Sequence, residues 1–186
     1  NSKTKIKNED KVPFNDSEFT YENGMKSYVA AMFLDIRDST NLFKNYDDEK
    51  LARILRSYFG EIVRILKENE NYREIGIRGD CIYAIYSVKS TNELKSVIND
   101  AIFVNTFNEM FQKILEKAKF ATFQVGIGLG LSDTLIIKTG LKHSGVNDYI
   151  RIGDSVVDAS KLSGQGNRDG FETIVMDEEF YNNIKD

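Results

Sequence analysis

The sequence predicts an α+β fold in which a largely antiparallel sheet is covered by helices on one side. Two long segments carry apolar residues at helical spacing. Between them lie short apolar or alternating segments joined by glycine-containing turns, as in hairpins. This order of elements is typical of the α+β class. With 186 residues, of which 41% are hydrophobic, the chain can bury one core and is too short for two ordinary domains.

The first 25 residues differ in composition from the remainder of the chain. They are mostly polar and include Pro13, the only proline. Because such a composition cannot form a core, we expect residues 1–25 to be a polar N-terminal arm, partly ordered at best. The folded domain is expected over residues 26–186.

The first half of this domain combines one strand, two helices and a hairpin. The opening strand, at about 27–36, is an apolar run that closes on Asp35. Asp47 and Asp48 form an N-cap signal for an amphipathic helix. The elements expected after the opening strand are a helix at 39–46, a helix at 48–69, and strands at 72–78 and 81–86 joined by a tight turn at Gly79-Asp80.

The second half contains another long helix, which Thr91 is expected to cap. Gly126, Gly128 and Gly130 then leave one face of a strand bare, so that another group can approach it closely. They are not a dinucleotide fingerprint, because no suitable strand-turn-helix unit surrounds them. The expected elements are a helix at 91–119, strands at 121–131 and 135–139, a strand at 149–152, a helix at 153–162, a strand at 173–176 and a helix at 177–184.

Composition excludes several classes of protein. A net charge of -4 and a pI near 5.2 argue against a nucleic-acid binder held by a broad basic surface. A small charged metabolite with its own cation fits better. The single cysteine, Cys81, excludes an internal disulfide framework and is compatible with a reducing cytosol. No uncharged apolar run is long enough to cross a membrane, so the expected location is cytoplasmic.

Two acids stand where chemistry is expected. Asp35 ends a buried strand ahead of the candidate N-caps Ser39 and Thr40, and Asp80 lies in a tight turn. Paired carboxylates beside the amide-rich start of a helix suit two Mg²⁺ or Mn²⁺ ions and a polyphosphate. Acids at turns are also common as purely structural residues, and from the residues alone both interpretations stay open.

Three motifs resemble the class III nucleotidyl cyclase domain in order and spacing. They are FLDIRDST at 33–40, RGDCIY at 78–83 and GDSVVDASKL at 153–162. With IIKTG at 136–140 and SGVND at 144–148, the wording is most similar to the stand-alone pyrimidine cyclases of bacterial Pycsar anti-phage systems. The resemblance implies a ferredoxin-like core and covers about residue 28 to the C-terminus.

The resemblance also implies roles for individual residues. Asp35 and Asp80 match the two metal-binding aspartates, and Ile36 matches the residue that lends a backbone carbonyl. The backbone amides of a four-residue turn would cradle the phosphates. That turn consists of Arg37, Asp38, Ser39 and Thr40. Lys161 stands where purine cyclases carry a transition-state arginine, although its position alone also fits an ordinary surface lysine.

The base and ribose pocket departs from the pattern of purine cyclases. Gly76 stands in place of an adenine-reading lysine and Ile150 in place of its aspartate partner. Arg78 and Tyr149 could fill that space against a smaller ring, although Arg78 could instead pair with Glu74. Val157 replaces the asparagine that orients the ribose and cannot form a hydrogen bond. These changes agree with a pyrimidine substrate and equally fit a decayed site.

The resemblance finally implies partners and a reaction. The family forms a head-to-tail homodimer with two composite sites, in which Asp35 and Asp80 of one copy face Lys161 and Arg78 of the other. The leading hypothesis is a cyclase that converts UTP or CTP into the 3′,5′-cyclic monophosphate with two Mg²⁺ or Mn²⁺ ions. Its product would be a second messenger for a downstream cyclic-nucleotide effector in anti-phage defence. The alternatives are a catalytically decayed module that binds a nucleotide or a partner, and a purine cyclase with unusual base contacts.

Overall fold

The computed structural model describes residues 4–13, 16–39, 44, 46–141 and 147–185. The strands are β1 (Lys5–Asn8), β2 (Asn23–Ile36), β3 (Tyr72–Arg78), β4 (Cys81–Ser87), β5 (Val125–Gly140), β6 (Asn147–Ile152) and β7 (Ile174–Met176). The helices are α1 (Asp48–Lys67), α2 (Thr91–Lys117), α3 (Asp154–Ser163) and α4 (Glu178–Asn182). A 3₁₀ turn at Asp16–Glu18 follows β1.

All seven strands belong to one sheet of mixed direction. Its main path runs β3-β4-β2-β5-β6, with antiparallel pairing throughout. β1 pairs in parallel with β2, and β7 in parallel with β5. The predicted α+β class with a largely antiparallel sheet is confirmed. β2 lies at the centre because its long apolar run can be buried on both faces.

The first face of the sheet packs against α1 and α2. Alternate residues of β2 point into this core, including Met32 and Leu34, while Val29 and Ala31 point to the opposite face. The core contains an aromatic group from both helices and from the segment just before β5, formed by Tyr58, Phe59, Phe107, Phe111 and Phe123. The hydroxyl of Tyr58 donates a hydrogen bond to Oδ1 of Asn108 at 3.1 Å. Both long helices are therefore core elements, as their apolar periodicity predicts.

Local capping chemistry explains where the helices begin. Asp47 caps α1 by accepting a hydrogen bond from the backbone N–H of Lys50, as expected. The cap of α2 is Ser90, which accepts from the amide of Glu93, so the assignment of Thr91 as the cap is wrong by one residue. The short helix expected at 39–46 falls largely outside the described residues.

β5 is one continuous strand, whereas the sequence predicts two strands separated by a Ser-Asp turn. Ser132, Asp133 and Thr134 stay in register with Val29, Tyr28 and Ser27 of β2. The full length of β2 supplies partners across these polar residues, so tertiary pairing overrides the local turn propensity.

Part of the N-terminal segment packs on the domain. Val12 and Phe19 are buried in a second core, on the face of the sheet opposite α1 and α2. The backbone N–H of Val12 donates to Oγ of Ser87 at 2.8 Å. Two apolar residues and a parallel strand hold this segment in place. Two apolar residues are too few for the sequence pattern to predict a core here.

α3 covers the second face, so the sheet is not covered by helices on one side only. Ser155, Ala159 and Ser163 are the buried face of α3. A Cβ built on Gly128 would lie 2.0 Å from the carbonyl oxygen of Ala159, and one on Gly130 would lie 2.3 Å from that of Ser155. The bare strand face therefore receives the backbone of a helix, which packs in direct contact with β5.

Gly128→Ala is expected to destabilise the domain by about 3 kcal/mol or more, because the new methyl group meets rigid backbone of α3. Gly60→Ala is the matched control. Nothing lies within 4 Å of a Cβ at Gly60 in α1, and this change should stabilise the helix by about 0.5–1 kcal/mol. Urea denaturation of both variants checks the difference, and equal stability would contradict close contact between α3 and β5.

A buried acid on α2 should make stability depend on pH. Burial raises the pKa of Asp100 from 3.8 to about 6, although Asn69 donates to its carboxylate at 2.9 Å. The folded state therefore binds this proton more tightly than the unfolded state. The stability contributed by Asp100 falls as pH rises from about 4 to 6, and the penalty persists above that range.

Asp100→Asn removes the ionisation, so it should be more stable than the parent above pH 6 by up to about 3 kcal/mol. The difference should shrink towards zero as pH falls below 4. Chemical denaturation between pH 4 and 8 measures it, with Glu116→Gln as an exposed control on the same helix. A gain that is independent of pH would contradict the assignment.

Among the described residues, no helix is both long enough and apolar enough to cross a bilayer.

Candidate active site

Two aspartates lie at neighbouring strand ends. Asp35 is next to last in β2 and pairs with Cys81, the first residue of β4. Asp80 directly precedes Cys81 in the two-residue turn between β3 and β4. Gly79 makes that turn with a φ of +61°, a left-handed value that glycine adopts readily. Strand register therefore brings the two predicted metal-binding carboxylates into one neighbourhood.

The electrostatics of Asp35 reflect this proximity. Burial raises its pKa, Arg37 opposes that rise, and the negative charge of Asp80 adds to it. The thiol of Cys81 responds to the same charges. Burial and the nearby carboxylates of Asp35 and Asp80 raise its pKa to about 11, so it is protonated and unreactive at neutral pH.

The side chain of Arg37 is buried and links two elements of the fold. Its guanidinium donates to Oδ2 of Asp35 at 2.8 Å, to the carbonyl oxygen of Gly166 at 2.7 and 3.0 Å, and to the carbonyl oxygen of Ser163. A Cβ on Gly126 would lie 1.9 Å from this guanidinium, so the glycine makes room for it. Arg37 thus ties the end of β2 to the end of α3 and orients Asp35.

The turn after β2 offers fewer free amides than the sequence predicts. The backbone N–H of Arg37 donates to the carbonyl oxygen of Gln124 at 2.8 Å, so it is not available to a phosphate. Asp38 has a φ of +51°, which turns the chain so that the hydroxyl of Ser39 donates to Oδ2 of Asp80. The amide of Arg37 is therefore excluded as a phosphate donor. Thr40 lies outside the described residues.

These donors suit divalent cations. Asp35 and Asp80 supply hard carboxylate oxygens. The side chain of Ile36 is buried, so only its backbone can reach the site. Across the part of the chain that the structure describes, no group of three or more His, Cys, Asp or Glu side chains is placed to hold a metal. Two carboxylates and a carbonyl would need oxygens from a substrate to complete a metal shell.

A cleft of about 240 Å³ opens on the second face of the sheet, beside Cys81. Its walls combine aromatic rings with charged groups, which include Phe33, Glu74, Arg78, Tyr83, Tyr149 and Arg151. The predicted pocket residues Arg78 and Tyr149 are therefore brought together here. Rings that can stack on a base, next to groups that can hydrogen-bond its edge, are what a nucleobase site requires.

Sequence patterns do not predict that Glu74, Tyr83 and Arg151 line this cleft. The hydroxyl of Tyr83 donates to Oε1 of Glu74 at 2.6 Å, and Arg151 forms an ion pair with Oε2 of the same carboxylate. β3 and β6 are at opposite ends of the strand path, so the sheet must curve around its second face to bring Glu74 and Arg151 together. Strand patterns carry no signal for such curvature. Glu74 pairs with Arg151 and Tyr83, not with Arg78 as the sequence alternative suggests.

Gly76 lies directly beneath Tyr83. A Cβ built on Gly76 would lie 2.4–2.5 Å from three atoms of the phenol group. On its other side the ring stacks on Phe33, with centroids 5.4 Å apart. The ring of Tyr83 therefore occupies the space that a side chain at position 76 would take.

Three other predicted pocket or catalytic residues lie away from the cleft. Ile150 is 43% exposed and alternates with the lining residues Tyr149 and Arg151, so it belongs to the opposite face of β6. The structure therefore places Ile150 away from this cleft, and its role in the base pocket stays a prediction. Val157 and Lys161 share the outer face of α3, and the Lys161 ammonium lies 3.9 Å from Asp158.

The comparisons with known proteins agree with this geometry. Residues 22–182 match the adenylate and guanylate cyclase catalytic domain family. The whole chain is 39% identical to a protein named uridylate cyclase from Treponema porcinum and covers 65% of its length. A uridylate cyclase from Gulbenkiania mobilis is 33% identical over 88% of the chain and 66% of its own length. The chain thus spans somewhat less than two thirds of each relative.

The fold has close counterparts among solved structures. The adenylyl cyclase CyaB from P. aeruginosa superposes with a TM-score of 0.74 over 87% of this chain and 82% of that one, at 19% identity. At that identity the likeness establishes the fold alone. The family match extends across nearly the whole described domain and contains both aspartates and the cleft. The chain therefore belongs to the family of adenylate and guanylate cyclase catalytic domains.

Proposed function

We propose that this chain is the catalytic part of a pyrimidine nucleotide cyclase that converts UTP, in preference to CTP, into the 3′,5′-cyclic monophosphate and pyrophosphate. The observation that carries the proposal is the placement of Asp35 and Asp80 beside Cys81, on the face that also holds the aromatic and charged cleft. The names of the two uridylate cyclase relatives support the pyrimidine and favour UTP.

In this reaction the ribose 3′-oxygen attacks the α-phosphorus. A new P–O bond forms, the bond to the β-phosphate oxygen breaks, and pyrophosphate leaves. Asp35 and Asp80 would hold two Mg²⁺ or Mn²⁺ ions, with the backbone carbonyl of Ile36 as a further ligand. Bound there, such ions would neutralise the phosphates and acidify the attacking hydroxyl.

The chain's own groups contribute position and charge. Arg37 holds Asp35 in place through one carboxylate oxygen and three contacts to backbone carbonyls. The amides of Asp38 and Ser39 follow the strand end and can donate to phosphate oxygens. The site holds the 3′-oxygen against the α-phosphorus before the reaction begins. This positioning removes a large entropic cost that the same reaction has in water.

The site is proposed to be completed by a second copy of the chain in a head-to-tail homodimer. Lys161 is 71% exposed, and the acid nearest its ammonium is Asp158, not Asp35. Its exposed charge can therefore contact phosphate held by another protomer. Contact with a partner would also cover exposed apolar side chains. They include Val157 on the same helix, Ile77 on β3, and Ile150 and Ile152 on β6.

We further propose a cytoplasmic role in which the cyclic product is a second messenger for a downstream effector in anti-phage defence. The resemblance to Pycsar cyclases supports this role. The product itself is small and diffusible, so the effector would recognise a cyclic nucleotide and need not touch the cyclase.

The proposal is tested by incubating the protein with UTP and Mn²⁺ and identifying the products by chromatography and mass spectrometry. Cyclic UMP and pyrophosphate are expected in equal amounts, and EDTA should abolish both. Formation of UDP or linear UMP without cyclic product would show a hydrolase and defeat the proposal.

A further inference from the structure

The cleft contains a ring whose position bears on the size of the base. Tyr83 pairs across the sheet with Gly76 on one side and with Phe33 on the other. It leans over the glycine, where no side chain competes, and stacks on the phenylalanine. If both cross-strand neighbours of Tyr83 had large side chains, its ring would have to project perpendicular to the sheet. The glycine lets it lie across the cleft floor.

The ring is also fixed in place. Its hydroxyl donates to Glu74 at 2.6 Å, and the other oxygen of Glu74 is held by Arg151 from the far side of the cleft. Arg151 is only 15% exposed and Glu74 28%, so the pair is shielded from competition by water. A chain of charge-assisted contacts therefore links Tyr83, Glu74 and Arg151 across the cleft. This chain fixes the width of the space that is left for a ligand.

We infer that Tyr83, held by Glu74 and Arg151, is the residue that excludes purines from the base site. This inference rests on the proposed function, because it takes the cleft as the site of the nucleobase. The phenol occupies the part of the cleft above Gly76, which is therefore closed to the second ring of a purine. Entry of a two-ring base would require the phenol to move and its hydrogen bond to Glu74 to break.

Two variants separate the ring from its hydroxyl. Tyr83→Ala removes the ring and opens the space above Gly76. Tyr83→Phe keeps the ring and its stack on Phe33 but loses the hydrogen bond to Glu74. Tyr181→Ala removes an exposed tyrosine on α4, away from the cleft, and serves as the control.

The measured quantity is the ratio of kcat/KM for ATP or GTP to kcat/KM for UTP, determined for each variant. We expect Tyr83→Ala to raise this ratio at least about tenfold, in the range that pocket shape gives in selective enzymes. Tyr83→Phe should change it much less, and Tyr181→Ala not at all. Because a ratio cancels the concentration of folded protein, a partial loss of stability does not imitate the effect.

An unchanged ratio in Tyr83→Ala would overturn the inference, since it would reduce Tyr83 to a packing residue. Calorimetry measures how tightly each nucleoside triphosphate binds, independently of turnover. This measurement distinguishes failure of the inference from failure of the proposed function. If the parent chain binds UTP over ATP without cyclising it, the proposed function fails, and the shift in binding preference still tests Tyr83. If the parent chain binds or cyclises purines with Tyr83 in place, the inference itself fails.

Discussion

Asp35→Asn should lower cyclase activity at least about a thousandfold while leaving the protein folded. The carboxylate is expected to bind both metal ions, and metal-assisted charge stabilisation contributes several kcal/mol to such a transition state. The amide is nearly isosteric with the acid but is a much weaker ligand for a hard cation. Initial rates of cyclic UMP formation in saturating Mn²⁺ measure the loss.

The fold of Asp35→Asn should persist because Arg37 keeps its contacts to the carbonyl oxygens of Ser163 and Gly166. A thermal denaturation curve checks this. Asp133→Asn is the matched control, since Asp133 lies on the same sheet in an exposed ion pair with Lys26. Retention of more than a tenth of the parent activity would contradict metal binding at Asp35. Intact cellular function in its absence would instead favour a decayed module that acts by binding.

Mixing two inactive variants should restore activity. Asp35→Asn lacks the carboxylate half of each composite site, and Lys161→Ala lacks the cationic half. After subunits exchange at random, half of the dimers are heterodimers. Each heterodimer carries one intact site and one doubly defective site, so about a quarter of the parent activity is expected.

The mixing experiment has a clear negative outcome. If each active site lay within one chain, the mixture would give no more activity than the two variants assayed separately. Full activity of Lys161→Ala alone would assign Lys161 to the helix surface, where its only described ion-pair partner is Asp158. Lower specific activity on dilution of the parent protein would support the shared site independently.

Sequence patterns predict the parts of this fold that depend on local chemistry. Asp47 caps α1 because its side chain satisfies a free amide of the first turn, and Gly79 turns the hairpin because it adopts a positive φ. Asp35 and Asp80 are predicted as neighbours, and strand register places both beside Cys81. The cap and the turn depend on residues close together in the chain, whereas the pairing of Asp35 with Asp80 is implied by the family resemblance.

The remaining features depend on tertiary contacts that no local pattern encodes. Arg37 carries a charge of the kind that proteins rarely bury. It is buried here because Gly126 leaves space for it, and because Asp35 and three contacts to backbone carbonyls satisfy its donors. Glu74 and Arg151 meet only because the sheet curves. The alternation of β6 places Ile150 on the other face, and a motif alignment without strand register cannot detect that.

The central claim is that this chain cyclises a pyrimidine and rejects purines. The most direct test incubates the protein with an equimolar mixture of ATP, GTP, CTP and UTP in Mn²⁺ and quantifies all four cyclic nucleotides by mass spectrometry. The account predicts cyclic UMP as the main product, cyclic CMP below it, and neither purine product above background. Cyclic AMP or cyclic GMP as the main product would contradict it.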